Sequence, residues 1–137
     1  MSADVVLDTN VLLYSISLLP AEQAKRSAAI ALIASNDWGT CTQVLQEFYV
    51  NAVRGNAPAL TEAQALDSVG LFMRRPCVGM SPTLMLGAVA LHQRYKISYW
   101  HAAVIVSAKA LGATTLYSED LNHGQIYDGV RVENPFL

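Results

Sequence analysis

Four acidic positions in this 137-residue chain stand where a carboxylate has a choice of work. Asp8 closes the run Val5-Val6-Leu7 and is followed by Thr9 and Asn10. Glu47 lies in Val44-Leu45-Gln46-Glu47-Phe48-Tyr49, on the border of an apolar face. Glu119 and Asp120 come directly after Leu116-Tyr117-Ser118. One reading of each is local. Asp, Thr and Asn cap helices well, so Asp8 could open one helix and Glu119-Asp120 a short one over 121–124, while Glu47 could be a solvated helix edge. The other reading gathers them. Carboxylates from two strand ends and one helix form an acidic pocket for a hard divalent cation, Mg2+ or Mn2+. A cation so held polarises a phosphate oxygen and lowers the pKa of a water, which is the chemistry of phosphodiester hydrolysis.

The elements that must position these groups are legible in the patterning. The β-branched run at 4–8 predicts a buried strand, and Val11 to Ser17 a short helix. Ala21 to Ser35 is alanine-rich, with Pro20 before it and Asn36 as a polar stop, which predicts a helix. Gly39-Thr40-Cys41 predicts a strand, and Thr42 to Arg54 a helix ending at Gly55. Thr61-Glu62-Ala63-Gln64 is a capping-box pattern opening a helix to about Met73. A short strand at 77–79, a helix from Ser81-Pro82 to Tyr95 and an amphipathic helix from Ser98 to Leu111, stopped by Gly112, follow. On the apolar face of that last helix one residue is polar, His101. Its local reading is a histidine packed in the core between Ile97 and Ile105. Strands at 114–117 and 130–132 complete the set. Strands alternating with helices predict one α/β domain over 1–137, with a mostly parallel sheet flanked by helices on both faces. Ligands in such sheets sit beyond the carboxyl ends of the strands, where the strand order reverses, and Asp8 and Asp120 both follow strands.

Composition removes several function classes. With 9 basic and 11 acidic residues the net charge is −2, so a strongly basic nucleic-acid coat is excluded. The longest apolar stretches, 28–34 and 84–91, fall well short of the roughly 18 residues a membrane span needs. Two distant cysteines, Cys41 and Cys77, give neither a disulfide framework nor a CxxC pair, and His92, His101 and His123 lack zinc-site spacing. No GxSxG, GxGxxG or GxxxxGK[ST] pattern occurs. A phosphoaspartyl hydrolase would want a second carboxylate two residues after Asp8, where Asn10 stands. The N-terminus has no signal-peptide character, so a reduced, cytoplasmic protein is expected.

Four segments in order, Val6-Leu7-Asp8-Thr9-Asn10-Val11-Leu12, Gln46-Glu47-Phe48-Tyr49, Ile97-Ser98-Tyr99-Trp100-His101-Ala102 and Leu116-Tyr117-Ser118-Glu119-Asp120-Leu121-Asn122-His123-Gly124, resemble the PIN-domain ribonucleases. Among these the chain is most like the VapC toxins of VapBC toxin–antitoxin pairs. The resemblance spans nearly the whole chain. It implies a PIN fold and a metal-dependent endoribonuclease that holds Mg2+ or Mn2+. Asp8 matches the first family acid, Glu47 the second and Asp120 the last, with Glu119 beside it as a further possible ligand. Thr9, Asn10 and Ser118 match the polar residues that support the pocket. It also implies a tRNA or rRNA substrate, a cognate antitoxin that blocks the pocket, and a homodimer.

One position departs from the family pattern. His101 stands where the family has a metal-binding aspartate. Neutral imidazole suits Mn2+ better than Mg2+, and a negative charge is lost, so weakened metal binding and activity are expected. The alternative is a non-catalytic protein of the same fold that keeps antitoxin or RNA binding. Arg26, Arg54, Arg74, Arg75, Arg94 and Lys96 are the basic candidates for RNA, each read first as solvated surface. Trp38 and Trp100 could stack bases but read first as helix-flanking core residues. The helices from 21 and from 42, both apolar for their length, are the expected antitoxin groove.

Overall fold

Val5, Val6 and Leu7 form β1, the strand around which the sheet is built. Val6 and Leu7 point to opposite faces, as successive strand residues must, and both are fully buried. Both faces of the strand are therefore covered, the usual condition of a parallel sheet. The computed structural model describes residues 1–35 and 37–137. Its elements are β1 (Val5–Leu7), α1 (Thr9–Tyr14), a 3-10 turn (Pro20–Glu22), α2 (Gln23–Ser35), β2 (Trp38–Cys41), α3 (Thr42–Ala52), α4 (Glu62–Phe72), β3 (Cys77–Val78), α5 (Pro82–Tyr95), α6 (Tyr99–Ala110), β4 (Thr115–Tyr117), β5 (Ile126–Tyr127) and β6 (Val130–Glu133).

The sheet order is β3-β2-β1-β4-β6-β5. Every pairing is parallel except β5 with β6. From β1 the chain first adds β2 on one side and later β4 on the other. The strand order therefore reverses between β1 and β4, and their carboxyl ends are the switch point where a ligand site belongs. Asp8 follows β1, and Ser118, Glu119 and Asp120 follow β4.

Most predicted elements form where the patterning places them, and the differences have physical causes. Helix α1 begins at Thr9, two residues early, because Asp8 itself is its N-cap. Helix α3 ends at Ala52, not Arg54, and the chain leaves through a turn in which Leu60 N bonds Ala52 O. The Thr61–Gln64 capping box is complete in both directions. The predicted polar stop at Asn36 lies outside the described residues. Helix α6 is not amphipathic: residues 102–108 are all buried, Ser107 included, so it runs through the core and contacts β2, β4 and β6. It stops in a Schellman arrangement, with Gly112 at φ +76° bonding Lys109 O and Ala113 bonding Ala108 O. No helix forms over 121–124. The chain turns there to enter a hairpin the strand pattern missed, because β5 is only two residues long. The available signal was Asp128-Gly129, which takes φ +51° and +89° and joins Tyr127 to its partner Val130. No helix among the described residues is long and apolar enough to cross a membrane.

Gly39 shows how tightly the strands carrying the site are set. A Cβ added there would lie 2.9 Å from Ala3 Cβ, 2.9 Å from Pro76 O and 3.0 Å from Leu111 Cδ1. The Pro76 carbonyl cannot yield, since it accepts Thr40 N at 2.8 Å. Gly39→Ala is therefore expected to cost about 1–3 kcal/mol through overpacking. Urea unfolding of the variant and the parent chain checks this, and an unchanged midpoint would contradict it.

Candidate metal centre

The Asp8 carboxylate is only 4% exposed. Its Oδ1 accepts Thr9 N at 2.8 Å, which caps α1, and its Oδ2 accepts the Ser118 hydroxyl at 2.7 Å. Capping and site-building, alternatives in the sequence, are thus performed by one side chain. Burial pushes the Asp8 carboxyl above its usual range. The bonds from Ser118 and Thr9 and the proximity of His101 pull it down, while Asp120 pushes it up. An anion held in this way is stabilised by any cation that arrives.

Ser118 is the hub. Its single proton goes to Asp8, and its oxygen accepts Asn10 Nδ2 at 3.3 Å and Asp120 N at 3.1 Å. Every hydrogen-bonding capacity of the hydroxyl is used. Asn10 Nδ2 also donates to Asp120 Oδ2 at 3.1 Å, so α1 and the loop after β4 are tied together at the sheet edge. Asn10 Oδ1 is buried and has no partner.

His101 is not packed between Ile97 and Ile105. It sits in the first turn of α6 with its side chain 30% exposed, and its Nε2 lies 3.8 Å from Asp120 Oδ2. Ser98, the N-cap of α6, accepts His101 N at 3.1 Å and meets His101 Nδ1 at 2.9 Å. The Ser98 oxygen has a second lone pair. When Nδ1 carries the proton and donates it there, Nε2 is left with its lone pair toward Asp120, the tautomer a metal ligand requires. Asp8, His101 and Asp120 can each bring one ligand atom so that all lie within 4.8 Å of one another.

Glu47 is half-buried beside this group. Its Oε2 accepts the Thr9 hydroxyl at 3.2 Å, and its Oε1 accepts Gln43 Nε2 at 3.3 Å. Both of its oxygens are thus satisfied by neutral donors. Glu119 is turned elsewhere. It accepts the Tyr14 hydroxyl through Oε1 and pairs with Lys25 Nζ at 3.0 Å through Oε2. Lys25 also lies 4.7 Å from the Tyr14 ring centroid.

Sequence reasoning passed over Gln43 and Ser98 as site residues. Gln43 stands four residues before Glu47, the spacing that puts two helical side chains together. Ser98 stands three before His101, where a cap reaches. Tyr14 and Lys25 left no local signal, since they meet Glu119 only across 105 and 94 residues of chain. A hollow of about 250 Å³ opens beside the group, lined by Ser98, His101, Asp120 and Asn122 among others.

Comparison with known proteins agrees with this architecture. The PIN-domain family profile matches residues 5–129. No curated protein sequence matches the chain. Among solved structures, it is similar to the Mycobacterium tuberculosis toxin VapC20, described as cleaving the sarcin–ricin loop. The identity is 20%, 85% of this chain and 89% of that one are covered, and the TM-score is 0.68. It is similar to a chain of FitAB bound to an IR36 DNA fragment, at 18% identity with 97% and 96% covered and a TM-score of 0.72. It is similar as well to a chain of VapBC2 from Rickettsia felis bound to promoter DNA, at 18% identity with 95% and 97% covered and a TM-score of 0.64.

The raised Asp8 pKa carries a stability consequence with a definite sign. Burial favours the neutral form, so stability is fully present below the ordinary aspartate range and is lost as pH rises through the folded pKa. Asp8→Asn removes the buried charge but keeps one oxygen for two donors, Thr9 N and the Ser118 hydroxyl. Its Tm relative to the parent's in EDTA is therefore expected to rise as pH goes from about 4 to about 7.5, and Mn2+ should raise the parent's Tm but not the variant's. A Tm difference that does not change with pH would contradict this.

Proposed function

The chain belongs to the PIN-domain family, and from that premise we propose that it is a metal-dependent endoribonuclease of the toxin type. Residues 1–137 form one PIN domain that hydrolyses phosphodiester bonds in tRNA or rRNA. The observation that carries this reading is the convergence of Asp8, His101 and Asp120 at the β1/β4 switch point.

The donor set fits a divalent ion. Two carboxylates and one imidazole offer ligand atoms within 4.8 Å, and the buried anion at Asp8 has no formal positive charge bonded to it. Asp8, Asp120 and His101 Nε2 would hold the ion, and Glu119 would join only by giving up Lys25 and Tyr14. When bound, Mg2+ or Mn2+ polarises the scissile phosphate and lowers the pKa of the water that attacks it. The chain's own residues do the remaining work. Ser118 and Thr9 N fix both oxygens of Asp8. Asn10 and Ser118 hold the Asp120 loop against α1. Glu47, oriented by Thr9 and Gln43, directs the attacking water and accepts its proton.

His101 tunes this site downward. An aspartate there would add a unit of negative charge, worth on the order of 4 kcal/mol per unit charge at 4 Å with an effective dielectric near 20, before desolvation takes part of it back. The imidazole instead leaves a weak site with a preference for Mn2+ over Mg2+. The same residue favours the second reading, a PIN-fold protein that binds without turnover.

Relatives that share the fold are described in complexes with antitoxins and promoter DNA. We extend to this chain a cognate antitoxin and a homodimeric assembly, in the cytoplasm, where its cysteines stay free. Exposed apolar side chains support such partners. Leu18, Leu19 and Ile30 lie before and along α2, and Met85, Leu86 and Val89 lie along α5.

The test is cleavage of a tRNA and rRNA panel in Mg2+ or Mn2+ by the parent chain and by His101→Asp, with metal affinity measured by calorimetry. His101→Asp is expected to bind Mg2+ at least about tenfold more tightly, a gain of about 1.4 kcal/mol, and to cut faster, with the gain smaller in Mn2+. Asp8→Asn in the His101→Asp background should abolish cutting. Absence of cleavage by His101→Asp with either metal would reject the nuclease reading in favour of the binding one.

A further inference from the structure

The chain's two tryptophans are placed in opposite circumstances. Trp38 is 1% exposed, donates Nε1 to Ile33 O at 3.1 Å and packs edge-on against Phe72. It is the core residue its sequence context predicts. Trp100 is 62% exposed, which overturns the core reading for this position.

A lone exposed aromatic residue is ordinary. Three observations set Trp100 apart. It immediately precedes His101, so its main chain belongs to the same first turn of α6 that carries a member of the metal group. Its carbonyl accepts Gln43 Nε2 at 3.1 Å, and that same amide nitrogen reaches Glu47, which fixes the main chain of Trp100 to a carboxylate of the site. Its ring is braced by Tyr99, centroids 5.1 Å apart at 82°, so the indole is oriented before any ligand arrives.

Several of the chain's cations are engaged with partners inside the protein. The net charge is −2. Lys25 is paired with Glu119, and Arg94 and Lys109 with Asp128. Arg75 bonds Ile33 O and lies over the Trp38 ring. Four of the nine Lys and Arg residues are thus engaged within the protein, and a non-ionic contact would add to what the others and a bound metal ion supply. Stacking on an aromatic face is such a contact, and an unpaired base is the group that offers a free π-face to it.

We propose that Trp100 is the base-stacking platform of this site, taking an unpaired nucleobase of single-stranded RNA next to the phosphate that faces Asp8, His101 and Asp120. The inference rests on the nuclease reading for its substrate, an unpaired RNA segment, and adds the residue that takes the base. A base laid on the indole anchors the strand beside the hollow at His101 and Asp120. Trp100 is thus a substrate-binding residue that leaves the metal group untouched.

The experiment is a fluorescence titration of the whole chain with a seven-nucleotide single-stranded oligoribonucleotide of mixed sequence, and with the same strand annealed to its complement. It is run in EDTA and again in Mg2+. Because Trp38 is buried, quenching of the solvent-exposed emission reports Trp100. Single-stranded RNA is expected to quench it, and the duplex to bind more weakly. Trp100→Ala should weaken single-strand binding about 5- to 150-fold, the range that loss of one stacked base gives. Trp100→Phe should restore most of it, and Mn2+ affinity should be equal in all three proteins. The proposal is overturned if Trp100→Ala binds the single strand as well as the parent does, if the duplex binds as tightly, or if single-stranded RNA leaves the parent's emission unchanged in both buffers. Shielding of Trp100 by a co-purifying protein partner, with RNA affinity insensitive to the substitution, would overturn it in favour of a protein interface. Failure of the nuclease reading shows separately, as absence of cleavage by His101→Asp, since these titrations read binding alone.

Discussion

A carboxylate buried at the end of the central strand is the constraint on which this structure depends. Removing a charge from water is costly unless hydrogen bonds replace the lost hydration. Asp8 is offered two donors from different parts of the chain, Thr9 N from the helix it opens and Ser118 Oγ from 110 residues away. The second exists only if β1 and β4 pair in register, with Leu7 opposite Tyr117. Slipping that register by one residue would turn the alternating side chains over and remove the hydroxyl. The same pairing that buries Val6 and Leu116 therefore satisfies Asp8, and the core and the site share one geometric requirement.

The remaining polar groups of the site extend outward from that anchor. Ser118 passes the constraint on to Asp120 and Asn10 through its two accepted bonds. Thr9 passes it to Glu47, and Gln43 links Glu47 to the first turn of α6, where His101 sits. The acids are held apart by neutral donors, and among the described residues no Lys or Arg side chain bonds Asp8. Lys25 is occupied with Glu119 and Tyr14. The buried carboxylate is the costly group in this arrangement.

His101 alters the balance without altering the scaffold. Its ring is steered by the residue that caps its own helix, so the side chain is aimed at Asp120 whether or not it is charged. The PIN scaffold is thus retained around a histidine.

By itself the sequence determined the element order, the α/β class and the placing of Asp8 and Asp120 just after strands. Those properties are carried by local patterning: β-branched runs, caps such as Thr61 and Ser98, stop glycines such as Gly112, and polar residues placed directly after strands. The hairpin at 126–133 escaped because two-residue strands carry no period, although its Asp-Gly turn was visible. Only the tertiary structure decided how the acids are shared out. It joined Asp120 to Asp8 through one hydroxyl, diverted Glu119 to Lys25, brought His101 out of the core to the rim, and exposed Trp100 while burying Trp38. Each of those outcomes depends on groups more than 50 residues apart, or on which side of a buried helix faces solvent. Neither is encoded in the spacing of neighbouring residues. Both follow from strand register and helix packing, which are properties of the whole chain.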